Sequence, residues 1–531
     1  MTSFKRVSLT LMIGCATAAL SACGADDIAS PGEGVIVLPS PTPAPSPTPT
    51  PTPGTGAGVT PAAACPTIAG SAPLIDRGTI TGPTGTYRNC AFPARFTAST
   101  TIAKVPGVIY SLDGRVDVGT DQGAGSTGNN VTLGIDPGVI VFGSTGVSYL
   151  AVNRGNQINA VGTPTQPIIF TGRGNVVGTV DDNSSQLWGG IVLLGRAPIT
   201  DCAAAGAAPG TVACERDTEG TSNALYGGAT PGDSSGSLRY VQIRYSGFVL
   251  SSDRELQGLT PSGAGYGTTI DHVQIHNSSD DGIEVFGGRT NMKYLVLTGA
   301  EDDSLDTDVG YKGFIQFVLT IHRPGIGNGM IEADSNGNDQ TTPRQNVRLS
   351  NFTFVMRGTT PDTGAAILLR GGTDFTLVNG VVVTPSTVPC LQVRSASTVQ
   401  ASGNDEAGVP VFRSVVFSGC TTPFVGSDGV TADQVSTIFG SGANGNNSNF
   451  TSTLTNTFVN GNGEAAVPAF DAATLNNTAE QPTTAPNRLQ TTTYIGAVRD
   501  ASDTWYRDWT CNASYAALGS AGGNCTTLPT T

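Results

Sequence analysis

Between residues 237 and 420 one phrase recurs, an apolar-alternating strand followed by a loop and a second short strand. Four starts align: Leu238-Arg239-Tyr240-Val241-Gln242-Ile243, Ile270-Asp271-His272-Val273-Gln274-Ile275, Met292-Lys293-Tyr294-Leu295-Val296-Leu297 and Ile315-Gln316-Phe317-Val318-Leu319-Thr320. Weaker copies begin at Val347, Phe375 and Val411. From Tyr240 to His272, Tyr294 and Phe317 the offsets are 32, 22 and 23 residues, and a self-similar period of this kind marks a solenoid or an array. A unit of ~22 residues with two or three short strands suits one turn of a parallel β-solenoid, whose neighbouring coils lie ~4.8 Å apart. Longer offsets are turns with insertions.

The N-terminal half repeats the theme in other words. Val131 to Gly143, Tyr149 to Gly155, Ile158 to Gly162 and Pro167 to Phe170 are short apolar strands between Gly, Asn and Pro turns, set too close together for sandwich hairpins. Small hydrophobic residues are plentiful and helix-period patterns nearly absent, which argues for an all-β body. The predicted fold is all-β, a right-handed parallel β-helix with disulfide-stapled terminal caps; a β-sandwich or a propeller is the alternative architecture.

The chain has 531 residues, 70 of them Gly, with 13% charged residues and a formal charge of −14. An acidic, sparsely charged surface is a poor counter-charge for phosphates, so nucleic acid is excluded as a partner. No phosphate loop, dinucleotide fingerprint or nucleophile elbow is convincing, and no organic cofactor is expected. Apart from Cys15 and Cys23, eight cysteines fall into neighbouring pairs: Cys65 with Cys90, Cys202 with Cys214, Cys390 with Cys420 and Cys511 with Cys525. Disulfides are predicted in that order. Zinc is the weaker reading, because no pair is C-x-x-C and the three histidines lie elsewhere.

The N-terminus carries an export signal. Lys5 and Arg6 supply a basic start, Leu9 to Ala19 is an apolar run too short to span a bilayer, and Leu20-Ser21-Ala22-Cys23 has the pattern of a bacterial lipobox. Cleavage before Cys23 removes two positive charges and leaves −16. The alternative is an ordinary cut after Ala18, with Cys23 a stray thiol. Pro39 to Pro53 alternates proline with small residues, which favours extended polyproline II and a reach of about 45 Å. The expected organisation is a signal peptide over 1–22, a lipid-anchored Cys and Pro/Thr-rich linker over 23–62, and an N-terminal cap over 63–106. The β-helix follows over 107–424, then irregular last coils and a C-terminal cap over 425–531, the cap built on Trp505, Tyr506 and Trp509.

Stacking the second strands by hydrophobic register yields an acidic ladder. Ile283, Leu305, Ile331, Ile367 and Leu391 would fill the core. Period-two alternation then turns out one column of Glu284, Asp306, Glu332, Leu368 and Gln392, and another of Phe286, Asp308, Asp334, Arg370 and Arg394. Asp280-Asp281 and Asp302-Asp303 occupy equivalent turn positions. Two charges ~4.8 Å apart at an effective dielectric near 20 repel by about 3 kcal/mol, so a cation, a raised pKa or the arginines must relieve the column. Hard oxygen donors suit Ca²⁺, and Asp306, Asp308, Glu332, Asp334 and Glu284 are the expected ligands. The competing reading is solvated turn residues. Phe286 and Tyr311 are candidates to stack on sugar rings, and Trp188 is as well suited to packing. His276 and His322 lie near the ladder and read as polar turn residues rather than as acids or bases.

Thr132 to Gly143, Trp188 to Ile199, Ser278 to Gly310, and Tyr494-Ile495-Gly496-Ala497 through Trp505 and Trp509 make the chain resemble a family of largely uncharacterised Gram-negative lipoproteins with pectate-lyase-like β-helices. The resemblance covers most of residues 107 to 515. It implies acylation of Cys23 and, because Asp does not follow Cys23 directly, the outer membrane; the long spacer points to the extracellular side. It implies no settled activity. Two function classes follow. One is a surface lipoprotein whose β-helix face binds a glycan or an outer-membrane receptor. The other is a Ca²⁺-dependent polysaccharide lyase or glycosidase, with Asp280, Asp281, Asp302, Asp303, Arg370 and Arg394 as candidate catalytic groups; Asp280-Asp281-Gly282 lacks a Gly-His-Gly partner.

Overall fold

The computed structural model describes residues 58–531 other than 220, 252, 253, 360, 362, 402–404 and 407. The segments expected as signal peptide, acylated Cys23 and proline-rich spacer lie outside the described residues. Each coil carries three strand segments separated by short turns. Thr132–Ile135, Ile140–Gly143 and Tyr149–Val152 form one coil, and Gln157–Val161, Ile168–Gly172 and Ile191–Leu194 the next. From Gly236–Arg244 onwards the first two segments fuse into one bent strand, because Ile158 pairs with Gly236 while Ile168 pairs with Val241. The bent strands Gly236–Arg244, Thr269–His276, Asn291–Thr298, Phe314–Ile321, Asn346–Val355, Asp374–Val383 and Val411–Ser418 stack in parallel into a long sheet. The third segments stack into a parallel sheet of 11 strands, here the short sheet. This is a parallel β-helix.

The bend is a single residue per coil in the left-handed region: Tyr240, His272, Tyr294, Phe317, Asn351, Asn379 and Ser414, with φ from 51° to 60°. Asn tolerates that region better than bulky side chains do. The aromatic rungs recover the cost by stacking, with ring centroids 4.5 Å apart for Tyr240 and His272, 4.4 Å for His272 and Tyr294, and 4.8 Å for Tyr294 and Phe317. The 32-, 22- and 23-residue offsets in the sequence run from bend to bend. Inside, matched rows such as Val241, Val273, Leu295, Val318 and Phe352 fill the core from rung to rung. The next rung is Gly380, where any side chain would meet the Phe352 ring at 2.0 Å.

Both ends of the stack are covered. At the start, Ile75–Gly82 pairs antiparallel with Gly85–Ala91, and that second strand is already the first parallel rung, pairing Arg88 with Val108. The helix therefore begins inside the segment expected as a cap. At the far end the last strand is Phe424–Ser427, and the helix Ala432–Phe439 lies over it. Thr431 and Gln434 close a capping box at its N-terminus, and Phe439 packs against Phe412, Phe417 and Phe424 with centroids 5.4, 4.4 and 5.3 Å away.

Residues 440–531 correct the expectation of last coils and a C-terminal cap. They form a strap that runs back along the flank at the bends. Gly496 N–H donates to the Asn379 carbonyl at 2.9 Å, Gln316 donates to the Gln490 carbonyl at 2.8 Å, and Gln242 donates to the Trp509 carbonyl at 2.6 Å. Arg244 donates to the Cys525 carbonyl at 2.8 Å, and at the first coils Gly107 N–H donates to Thr531 at 3.1 Å. Trp505 packs on Tyr294 and Trp509 on His272, at 5.3 and 5.5 Å. Outward-turned rings at the bends leave an apolar flank that needs cover more than the end does. The disulfides Cys65–Cys90, Cys202–Cys214, Cys390–Cys420 and Cys511–Cys525 join sequence neighbours. Among the described residues no helix is long and apolar enough to cross a membrane.

Candidate functional site

The ladder lies on the outward face of the short sheet. Ile283, Leu305, Ile331, Ile367 and Leu391 pair rung to rung and point into the core. Glu284, Asp306, Glu332, Leu368 and Gln392 consequently share one register column. In the second column Phe286 pairs with Asp308, and Asp334 and Arg370 follow at the same step through Asp334 N–H to Thr307 O and Arg370 N–H to Ala333 O. The turns stack too. Gly258 N–H donates to Asp281 O and Gly282 N–H to Asp303 O, so the two Asp-Asp turns sit one above the other. Asp281 Oδ1 accepts from Asp303 N–H at 2.8 Å, and Asp303 Oδ1 from Gly329 N–H at 2.5 Å.

Turns and strands together close a pit of about 180 Å³ lined by carboxylates from four coils, with Gln257 the one neutral side chain. Asp280, Asp281 and Asp302 bring carboxylate oxygens within 4.8 Å of one another, and so do Asp281, Glu284 and Asp306. Burial is severe: Asp280, Asp281, Glu284 and Asp303 are 7%, 5%, 6% and 3% exposed. Gln257 donates to Asp280 at 3.2 Å and Asn328 to Asp302 at 2.6 Å. Glu284 makes no hydrogen bond or ion pair among the described residues, and none of Asp280, Asp281, Asp302, Asp303, Asp306 or Asp308 is ion-paired there. Burial, reinforced by the neighbouring carboxylates, pushes Asp280, Asp281, Glu284, Asp303, Asp306 and Asp308 well above the usual carboxyl range.

The five expected ligands do not form one group. Arg370 reaches Glu332 at 2.5 Å and Asp334 at 3.0 Å, which neutralises that end of the ladder. Glu284 and Asp306 turn instead to Asp281, a turn residue expected as a catalytic candidate. Burial still raises the Glu332 carboxyl, against the pull of Arg370. Arg394 donates to Thr363 O at 2.9 Å and to Gln392 at 3.2 Å, two rungs beyond the last acids, Glu332 and Asp334.

Beside the pit, and sharing Glu219 with it, opens a cleft of about 570 Å³. Its floor is Phe286, Asp308, Asp334 and Arg370; its wall is an insertion between Leu194 and Gly236 that supplies Asp201, Arg216, Thr218, Glu219 and Tyr226. The Cys202–Cys214 disulfide closes the base of that insertion, Arg216 pairs with Asp201 at 3.0 Å, and Tyr226 packs on Phe286 at 6.0 Å. Sequence reasoning missed this wall, together with Glu255 and Gln257. The signal was present in the Asp201 to Glu219 stretch, a cysteine pair flanked by Asp201, Glu215, Asp217 and Glu219 where the repeat is interrupted.

Other candidates fall elsewhere. Tyr311 is not an outward platform: it is fully buried in the core and donates its hydroxyl to Thr290 O at 2.7 Å, because the Gly310 turn directs it inward. Trp188 is buried against Phe170 at 6.2 Å and donates to Arg244 O at 2.9 Å. His276 and His322 are fully buried rather than in polar turns. Burial drives His276 well below its ordinary pKa, and His322 down to about 4.

The sequence profile of the pectate-lyase-like β-helix domain family matches residues 110–510. No curated protein and no solved structure matches the chain. The profile runs through every rung that builds the pit and most of the strap, so the chain belongs to the pectate-lyase-like β-helix domain family.

Proposed function

We propose that this protein binds acidic polysaccharide at the short-sheet cleft, through a divalent cation held in the pit, and that Cys23 tethers it by lipid to the outer membrane, facing outward. The observation that carries the reading is Glu284, a carboxylate 6% exposed and unpaired among the described residues, aimed into a pit of further carboxylates. Leaving a buried charge unpaired is costly, and an all-oxygen donor set fits a hard cation such as Ca²⁺. Asp281, Glu284 and Asp306 would hold the ion. When bound, it supplies positive charge to a site that would otherwise repel a uronate. The residues of this chain do the rest: Arg216 and Arg370 line the same cleft and suit a carboxylate further along the chain, while Phe286, expected as a stacking platform, is 7% exposed and packs on the buried Tyr226 beneath it.

A specific observation favours a second reading. Asp308, raised by burial and opening into the cleft, is suited to donate a proton to a leaving oxygen, which fits a tethered lyase or glycosidase. One experiment addresses both. Full-length protein in detergent should retain polygalacturonate in millimolar Ca²⁺ and release it in EDTA, and only Cys23→Ala should lose membrane partition without losing the glycan. Retention indifferent to EDTA, or none at all, overturns cation-dependent binding. Partition of Cys23→Ala like wild type overturns the anchor. New unsaturated or reducing ends during incubation would convert binding into catalysis.

A further inference from the structure

A further cavity, of about 260 Å³, lies between the long sheet and the strap. On the sheet side the outward column Ile140, Ile169, Gln242 turns from apolar to polar at its last step, and Arg244, two residues on, completes the polar end. The strap closes it with Asp508, Pro529 and the loop that the Cys511–Cys525 disulfide ties off. Lys104, an exposed side chain from the turn before Val108–Leu112, stands at the rim. A Cβ at position 138 would meet its Nζ at 2.9 Å, so Gly138, with φ 76°, leaves the ammonium that place.

The polar end carries charge without a counter-charge. Arg244 is fully buried, and its partners among the described residues are all neutral: Nε and Nη2 donate to Gln242 Oε1, and Nη1 donates to the Cys525 and Thr527 carbonyls at 2.8 Å each. Burial pushes the guanidinium down to about 10, with no carboxylate pulling it back. Four of its five N–H groups are used and one remains. Gln242 likewise spends one amide N–H on Trp509 O at 2.6 Å and keeps the other. Lys104 makes no hydrogen bond or ion pair among the described residues. With Asp508 the lining holds two positive charges and one negative, a net +1 in a chain of formal charge −14, and a buried charge left unpaired is costly.

We infer that this cavity binds a small monocarboxylic acid with an apolar body, the carboxylate taken by Arg244, Gln242 and Lys104 and the body laid on Ile169 beside Pro529. The single surplus positive charge matches one carboxylate, and an inorganic anion would leave the Ile169 side unfilled. The volume falls just below the ~300–1,000 Å³ of drug-sized guests, which suits a small molecule and not a segment of chain. Such a guest touches coil and strap together, so its binding holds the two closed. Nothing in this reading depends on the short-sheet cleft.

Calorimetric titration of the full chain in detergent, with benzoate, hexanoate, benzamide and inorganic phosphate as probes, tests the inference. Both acids should bind and raise Tm, benzamide should bind about tenfold more weakly than benzoate for want of the charged hydrogen bonds, and phosphate should not compete. Arg244 also anchors the strap, so the variants are made beside it. Gln242→Glu gives Arg244 a carboxylate of the chain's own and should abolish uptake of either acid. Lys104→Gln alters an exposed side chain without touching the packing and should weaken both acids by about fivefold, the upper range for an exposed pair. Benzamide binding as well as benzoate, phosphate displacing benzoate, Lys104→Gln titrating like wild type, or no uptake of either acid at millimolar concentration each overturns the inference and leaves the cleft reading as it was.

Discussion

Single residues here are read best through what burial does to charge. Asp374 is 5% exposed and accepts a hydrogen bond at 3.2 Å from Asn346, which also donates to Glu406. Burial pushes its carboxyl up to about 6 although Arg344 pulls the other way, and Glu406 adds to the rise. A carboxyl whose folded pKa exceeds its unfolded value favours the fold fully below 3.8 and loses that advantage as pH rises through about 6. Asp374→Asn should therefore raise stability at pH 7 by up to about 3 kcal/mol, less whatever the lost attraction to Arg344 contributes. The gain should shrink towards zero near pH 4. Urea titrations of both proteins across that range check it; an equal gain at every pH would mean that burial does not raise the Asp374 carboxyl.

At the scale of a strand or turn, what counts is the rung. The acidic columns end at Arg370, whose guanidinium faces Glu332 and Asp334 at 2.5 and 3.0 Å. Arg370→Gln leaves those two acids beside Asp306 and Asp308, and metal-free protein should lose about 1 kcal/mol, the upper range for a partly exposed pair. Millimolar Ca²⁺ should then raise Tm more in the variant than in wild type; an equal rise would place the ion away from the ladder. The columns themselves were legible in the sequence because side-chain alternation has period two and every rung begins on an aliphatic residue, Ile283, Leu305, Ile331, Ile367 or Leu391. Grouping within them was not. Whether Glu284 meets Asp281 or Glu332 depends on where a turn backbone passes, and whether Arg370 neutralises a neighbour depends on rotamers that spacing does not encode. Tyr311 failed for a related reason: it lies in a turn, where the alternation that fixes in from out is suspended.

The whole molecule adds one thing that no repeat contains. A solenoid touches only its neighbours, and its stability is close to a sum of rung and interface terms that can fray from either end. The strap breaks this rule, since Thr531 hydrogen-bonds to Val108, 423 residues away in sequence, and in between holds bend after bend. Its course was hidden because Gly- and Asn-rich chain without periodicity carries no register of its own. It borrows one from Asn351 and Asn379, which donate to the carbonyls of Tyr494 and Phe470 at 2.9 Å.

A one-dimensional array that is clasped from its last rung to its first stops behaving as one. Opening any coil then also peels strap, so local fraying is coupled to global melting and the chain should unfold in a single cooperative step. The cost is kinetic: such long-range contacts give no return until the rungs are stacked, and they are the slow kind to form. A chain ended after Gly440 keeps every rung and both end covers but loses the clasp. In urea it should unfold over a broad range or in separate stages, with hydrogen exchange fastest in the terminal coils, while the full chain shows one transition with uniformly protected rungs. Equal cooperativity in the two would mean that the rungs alone set it.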